Sequence, residues 1–219
     1  MAPTMPPSQE NVFATLQQFA RKRAVMERCE MCGQELPAGH EHLVEPDKRK
    51  LVCACDACAI LFEGQSSSKY KRVPRRVLFL RDFQLTDAQW DGLMVPIEMA
   101  FFFRSSPQQK MIALYPSPAG PTESLLSLDT WTDIVELNPV LKKMEDDVTA
   151  LLVNRVGRVR GAAPAEYYLV PIDECYKLVG LIRAHWRGLS GGTEVWREIQ
   201  SFFSALKKRA QLSYGTVDA

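Results

Sequence analysis

Two C-x-x-C pairs, Cys29/Cys32 and Cys55/Cys58, are the residues whose type and spacing point most directly to chemistry. They bracket RCEMCGQELPAGHEHLVEPDKRKLVCACDACAILF, residues 28–62, which holds five of the six cysteines and two of the three histidines. Tetrahedral zinc takes four soft or borderline ligands, and a C-x-x-C turn supplies two because its sulfurs converge as the backbone curls. Gly33, directly after the second cysteine, permits a tight backbone there. The separation between the pairs is slightly longer than usual, and a loop of this kind tolerates insertion cheaply. The expectation is a structural zinc bound by Cys29, Cys32, Cys55 and Cys58.

Three further residues compete for the same role. Cys53 could replace Cys55, or it could point to the opposite face of its strand and pack as a small hydrophobe. His40 or His42 could replace one cysteine in a mixed site. Iron in a rubredoxin-like tetrathiolate site is the alternative cofactor, since ligand type alone does not separate iron from zinc. A closed four-ligand clip leaves Cys53, His40 and His42 over, and any role beyond holding shape belongs with them.

Other chemistry is less well supported. Glu41 to Pro46 loosely resembles the first motif of His-Asn-His nucleases. The metal ligands such enzymes need downstream are missing, because Ala59-Ile60-Leu61-Phe62 carries no histidine and the stretch from Pro46 to Cys53 no asparagine. Cys175 begins an apolar helical stripe and reads as a core thiol. His185 is a lone helix-end histidine. RGLSGG lacks the lysine and spacing of a phosphate-binding loop. There is no credible catalytic triad or carboxylate pair, so no catalytic residue is assigned.

The elements that must position the cysteines follow from periodicity and punctuation. Residues 1–9, with three prolines, read as disordered, and 10–27 as a helix. Residues 28–63 form the zinc-binding module. Residues 64–76 form a basic linker containing Lys69, Lys71, Arg72, Arg75 and Arg76. An α+β domain spans 77–212, and 213–219 is a flexible tail. Within the domain, Thr86 caps a short helix. PIEMAFFFR and KMIALYP pair as an antiparallel hairpin, TESLLSL adds a third strand and YYLVPI a fourth. DTWTDIVELN and VLKKMEDDVTALLVNRV read as helices, followed by helices capped by Asp173 and Thr193. The fold expected is α+β: a zinc-ribbon-like four-cysteine module, then a small antiparallel sheet with helices on one face.

Composition bounds the partners. Hydrophobic residues make up 46% and charged residues 24% of 219, enough for a globular core. The formal net charge of +1 gives no global attraction to nucleic acid or an anionic membrane. No apolar run is long enough to span a bilayer, and the N-terminus does not read as a secretory signal. A cytoplasmic location is expected, where clustered thiols favour metal over disulfides.

Taken together, RCEMC, HEHLV, LVCACDACAILF, MAFFFRSS, ALYPSPAGPTES and YYLVPIDECYKLVGLIRAHWRG resemble one family of uncharacterised bacterial proteins, commonest in actinobacteria. Their genes often lie near those for high-affinity nickel–iron uptake hydrogenases. The resemblance runs from Arg28 to Ala210 and implies a setting more than a mechanism. It carries Cys29, Cys32, Cys53, Cys55 and Cys58 as metal-site candidates without choosing among them. The function expected from it is a non-catalytic accessory protein in hydrogenase maturation or assembly, with hydrogenase subunits or maturation factors as partners. A rubredoxin-like redox partner and a zinc-dependent nucleic-acid-binding protein using the basic segment are the alternatives.

Overall fold

A computed structural model describes residues 26–62, 69–124, 130–159 and 164–213. The expected disordered N-terminus lies outside them, as do nearly all of the expected N-terminal helix and all but Ser213 of the tail. The chain is α+β, with two sheets.

The smaller sheet has three strands, in the order β2 (Lys50–Ala54), β1 (Glu41–Glu45), β3 (Lys71–Arg72). β1 and β2 pair antiparallel, with Glu41 opposite Ala54, His42 opposite Cys53, Leu43 opposite Val52 and Val44 opposite Leu51. Directly opposed residues share a face, and successive residues alternate faces. Leu43, Val52 and Ala54 therefore face the cysteine pairs and form a small core with Cys29, Leu36, Cys55 and Ala59. His42, Val44, Leu51 and Cys53 point the other way, and Val44 and Leu51 pack into the main core of the larger domain. A short helix, α1 (Asp56–Ile60), follows β2. The basic segment is thus more than a connector: Lys71 and Arg72 add an antiparallel strand to β1.

The larger sheet has seven strands, in the order β10 (Gln211–Ser213), β4 (Leu78–Leu80), β9 (Glu166–Pro171), β8 (Thr149–Asn154), β5 (Met99–Ser105), β6 (Lys110–Ser117), β7 (Gly120–Glu123). Every pairing is antiparallel except β10 with β4. The apolar run Met99 to Phe103 is buried on both sides, as suits a central strand covered on both faces. One face, with Phe101, Phe103, Leu152 and Tyr168, packs against α5 (Ile172–His185) and α6 (Gly192–Arg209). The other, with Ala100, Phe102, Leu151 and Val153, packs against Trp90 of α2 (Asp87–Gly92), Ile134 of α3 (Trp131–Leu137) and Val140 and Leu141 of a 3-10 turn, Pro139–Lys143. Helices therefore cover both faces, where the sequence suggested one.

A further difference lies at β8. VLKKMEDDVTALLVNRV carries apolar residues at helical spacing, but it folds as a 3-10 turn, then strand β8, then a one-turn helix α4 (Val156–Val159). The helical turn ends at Met144, which is extended, and Asp147, with a left-handed φ of 72°, turns the chain into β8. A short apolar run such as Ala150 to Val153 fits a buried strand as well as a buried helix. Smaller differences lie at the caps. Thr86 caps α2 as its sequence suggests, and with Gln89 it forms a full capping box. Asp173 and Thr193 instead lie inside the first turns of α5 and α6. The third strand starts at Gly120, ahead of TESLLSL, and residues 125–128 of that segment lie outside the described ones.

Candidate metal centre

The first cysteine pair sits on a tight turn. The Cys29 N–H donates to the Gln34 carbonyl and the Gly33 N–H to the Cys29 carbonyl, each at 2.8 Å. Gly33 takes φ 79°, a conformation open to glycine at little cost. The second pair brackets the start of α1: Cys55 precedes its first residue in extended conformation, and Cys58 lies in its first turn. Glu30 ties the two together, accepting from the Cys53 N–H at 3.0 Å and from Lys50 Nζ at 2.9 Å.

This brings Cys29, Cys32, Cys55 and Cys58 together, with all four sulfurs within 4.8 Å of one another. Cys32 Sγ and Cys55 Sγ are 3.8 Å apart. Two zinc–sulfur bonds of about 2.3 Å meeting at a tetrahedral angle hold their sulfurs roughly 3.8 Å apart. The donor set and its spacing therefore fit a tetrahedral thiolate-bound metal. Cys29 and Cys55 are buried, whereas Cys32 is exposed.

The protonation of the cluster is divided. Burial opposes ionising Cys29, but N–H groups of Cys55, Cys32 and Met31 outweigh it and bring that thiol down to about 6. The bond shared with Cys55, followed by burial, pushes Cys58 up to about 12. Sulfurs packed this closely cannot all ionise cheaply without a cation between them. A bound dication removes that conflict by stabilising every thiolate at once.

Cys53, His40 and His42 do not join this group. They form a second one, whose donor atoms also lie within 4.8 Å of one another. The two imidazole rings meet edge to face, with centroids 4.7 Å apart. Burial, then the carboxylates of Glu27 and Glu30, holds the Cys53 thiol above its ordinary range. His42 Nδ1 is 2.9 Å from Asp173 Oδ2 at the start of α5. The sequence marked Asp173 only as a helix cap. Its signal for this second role was the pairing of His42 with Cys53 on facing strands, with His40 just before β1, which needs the register to be read.

The basic segment is largely neutralised. Lys69 pairs with Glu45, and Arg72 and Arg75 both reach Glu41. Lys71 Nζ lies 2.6 Å from the buried Asp147 carboxylate, which also accepts from the Ser106 N–H at 2.8 Å. These partners are other parts of this chain. Elsewhere, Cys175 is fully buried in the main core, its thiol pushed well up by burial. His185 Nδ1 lies 3.0 Å from Glu194, linking α5 to α6. Among the described residues, no helix is long and apolar enough to cross a membrane.

Neither a curated protein sequence nor a solved structure matches the chain. The model of a family of unknown function, DUF5947, matches residues 28–210 of the 219. With most of its length covered in this way, the chain belongs to that family.

Proposed function

We propose that Cys29, Cys32, Cys55 and Cys58 hold one structural zinc in a zinc-ribbon-like module. On this reading the protein is a cytoplasmic, non-catalytic accessory protein that docks a protein partner. The setting implied by the sequence resemblance is nickel–iron hydrogenase maturation or assembly, with hydrogenase subunits or maturation factors as partners.

The observation that carries the metal reading is the convergence of four sulfurs from two turns, two of them 3.8 Å apart. Four protein ligands leave a tetrahedral ion no open position for substrate, so a metal there holds shape. The pairing of Lys69, Lys71, Arg72 and Arg75 with carboxylates of the same chain leaves less positive charge free for phosphates and weighs against nucleic acid.

Two experiments test the two halves. Elemental analysis of the purified protein reads the metal: zinc supports the clip, and iron with a visible charge-transfer spectrum replaces it with an electron carrier. Co-purification from a hydrogenase-producing strain, and hydrogenase activity after clean deletion, read the role. Unchanged hydrogenase maturation in the deletion strain overturns the accessory assignment.

A further inference from the structure

The group formed by His40, His42 and Cys53 is separate from the four-cysteine cluster and lies on the opposite face of the β1–β2 hairpin. His42 and Cys53 are directly opposed across the two strands, so their side chains project together. His40 precedes His42 by two residues and brings its ring against that of His42.

Both imidazoles are oriented as metal ligands are. His40 Nδ1 lies 3.0 Å from the Pro37 carbonyl and His42 Nδ1 lies 2.9 Å from Asp173 Oδ2. A carbonyl and a carboxylate only accept, so each ring donates from Nδ1, and in the neutral imidazole this leaves the Nε2 lone pair bare. Metal-binding histidines are held in this tautomer by such partners. The His40 side chain is only 5% exposed, and its Nε2 is buried without a hydrogen-bond partner in the fold. An unmatched buried acceptor of this kind is costly, and a cation would relieve it.

We propose that His40, His42 and Cys53 form a second metal site, which takes one borderline divalent transition-metal ion and leaves its fourth position open. Two imidazoles and a thiolate are a borderline donor set suited to ions of the Zn²⁺ and Co²⁺ type rather than to Mg²⁺ or Ca²⁺. Three protein ligands with an open corner are the arrangement of an exchangeable or Lewis-acid metal, in contrast to the closed cysteine cluster. The entry path is a groove between the module and α5, lined by His40, His42, Arg75, Asp173 and Tyr176. Glu27 Oε2, 3.4 Å from His40 Nδ1, adds negative charge at its rim. Binding displaces the Cys53 thiol proton to solvent and draws together three side chains that each already bring one ligand-type atom within 4.8 Å of the others. Because Asp173 belongs to α5, the ion would also fasten the module to the larger domain.

The test is a Co²⁺ titration of the full-length protein carrying its zinc, after a mild chelator has removed loosely held metal. The expected result is one further Co²⁺ per chain, with a sulfur-to-cobalt charge-transfer band and visible bands of low-coordinate cobalt. His42→Ala and Cys53→Ser should each abolish that uptake while the zinc content stays unchanged. Asp173→Asn, which leaves all three ligands in place, should weaken Co²⁺ binding about 10- to 100-fold. No uptake by the zinc-loaded wild type, or equal uptake by the His42→Ala and Cys53→Ser variants, would overturn the proposal. Loss of zinc alone would instead strike the four-cysteine reading, so the two failures are separable.

Discussion

His42 and Asp173, 131 residues apart in sequence, meet through a 2.9 Å hydrogen bond between Nδ1 and Oδ2. The contact joins strand β1 of the cysteine module to the first turn of α5. Together with Val44 and Leu51, which enter the main core, it makes the module a docked part of the fold. Asp173→Ala should therefore cost stability even in protein stripped of exchangeable metal. A hydrogen bond to a charged, half-buried group suggests a loss of about 1–2 kcal/mol. Urea unfolding measures it, and an unchanged midpoint would show that the apolar contacts alone hold the joint.

On the zinc reading, Cys32→Ser should break the proposed clip at its most exposed cysteine. Hydrogen exchange should then show the largest loss of protection in residues 28–62, centred on the Cys29–Gly33 turn and α1. The larger domain, with its own core on both faces of β5 and β8, should keep most of its protection. Equal loss throughout would show a single cooperative unit.

The sequence made the cysteine cluster and part of the fold legible for local reasons. C-x-x-C spacing, Gly33 after the first pair, and Thr86 with Gln89 act within a few residues. The β5–β6 hairpin was likewise visible as two apolar runs around a polar turn. Long-range pairing was not legible. Nothing local marks Lys71 and Arg72 as a strand of the module, and their pairing depends on β1. Ala150 to Val153 looks helical until Asp147 is seen to turn the chain. The grouping of His40, His42 and Cys53 depends on the β1–β2 register, where a slip of one residue would send His42 and Cys53 to opposite faces.

Asp147 is a second long-range anchor, with its buried carboxylate held by Lys71 and Ser106. Lys71→Met removes the cation and leaves the carboxylate buried beside Ser106. Breaking such a pair from one side should cost about 2–3 kcal/mol, somewhat below the fully buried case because the Lys71 side chain is 29% exposed. Chemical denaturation checks this, and a loss below about 0.5 kcal/mol would place the pair in the solvent-screened class.

Glu30 predicts a specific acid sensitivity. The hydrogen bond from Lys50, followed by that from the Cys53 N–H, holds its carboxyl below the ordinary range. A depressed carboxyl contributes stability that is complete above its unfolded value and is lost as pH falls through its folded value. Glu30→Gln should therefore be less stable than wild type near neutrality, and the two should converge as pH falls through the depressed folded value of Glu30. Parallel stability profiles across that range would remove Glu30 from the acid response.

The central claim is that four cysteines close around a structural zinc. Its most direct test is elemental analysis of protein purified without added metal and washed with a mild chelator. The account predicts one retained zinc per chain, a colourless solution, and loss of that zinc in Cys32→Ser but not in Cys53→Ser. Protein that retains no metal, or that keeps its zinc in Cys32→Ser and loses it in Cys53→Ser, would contradict it.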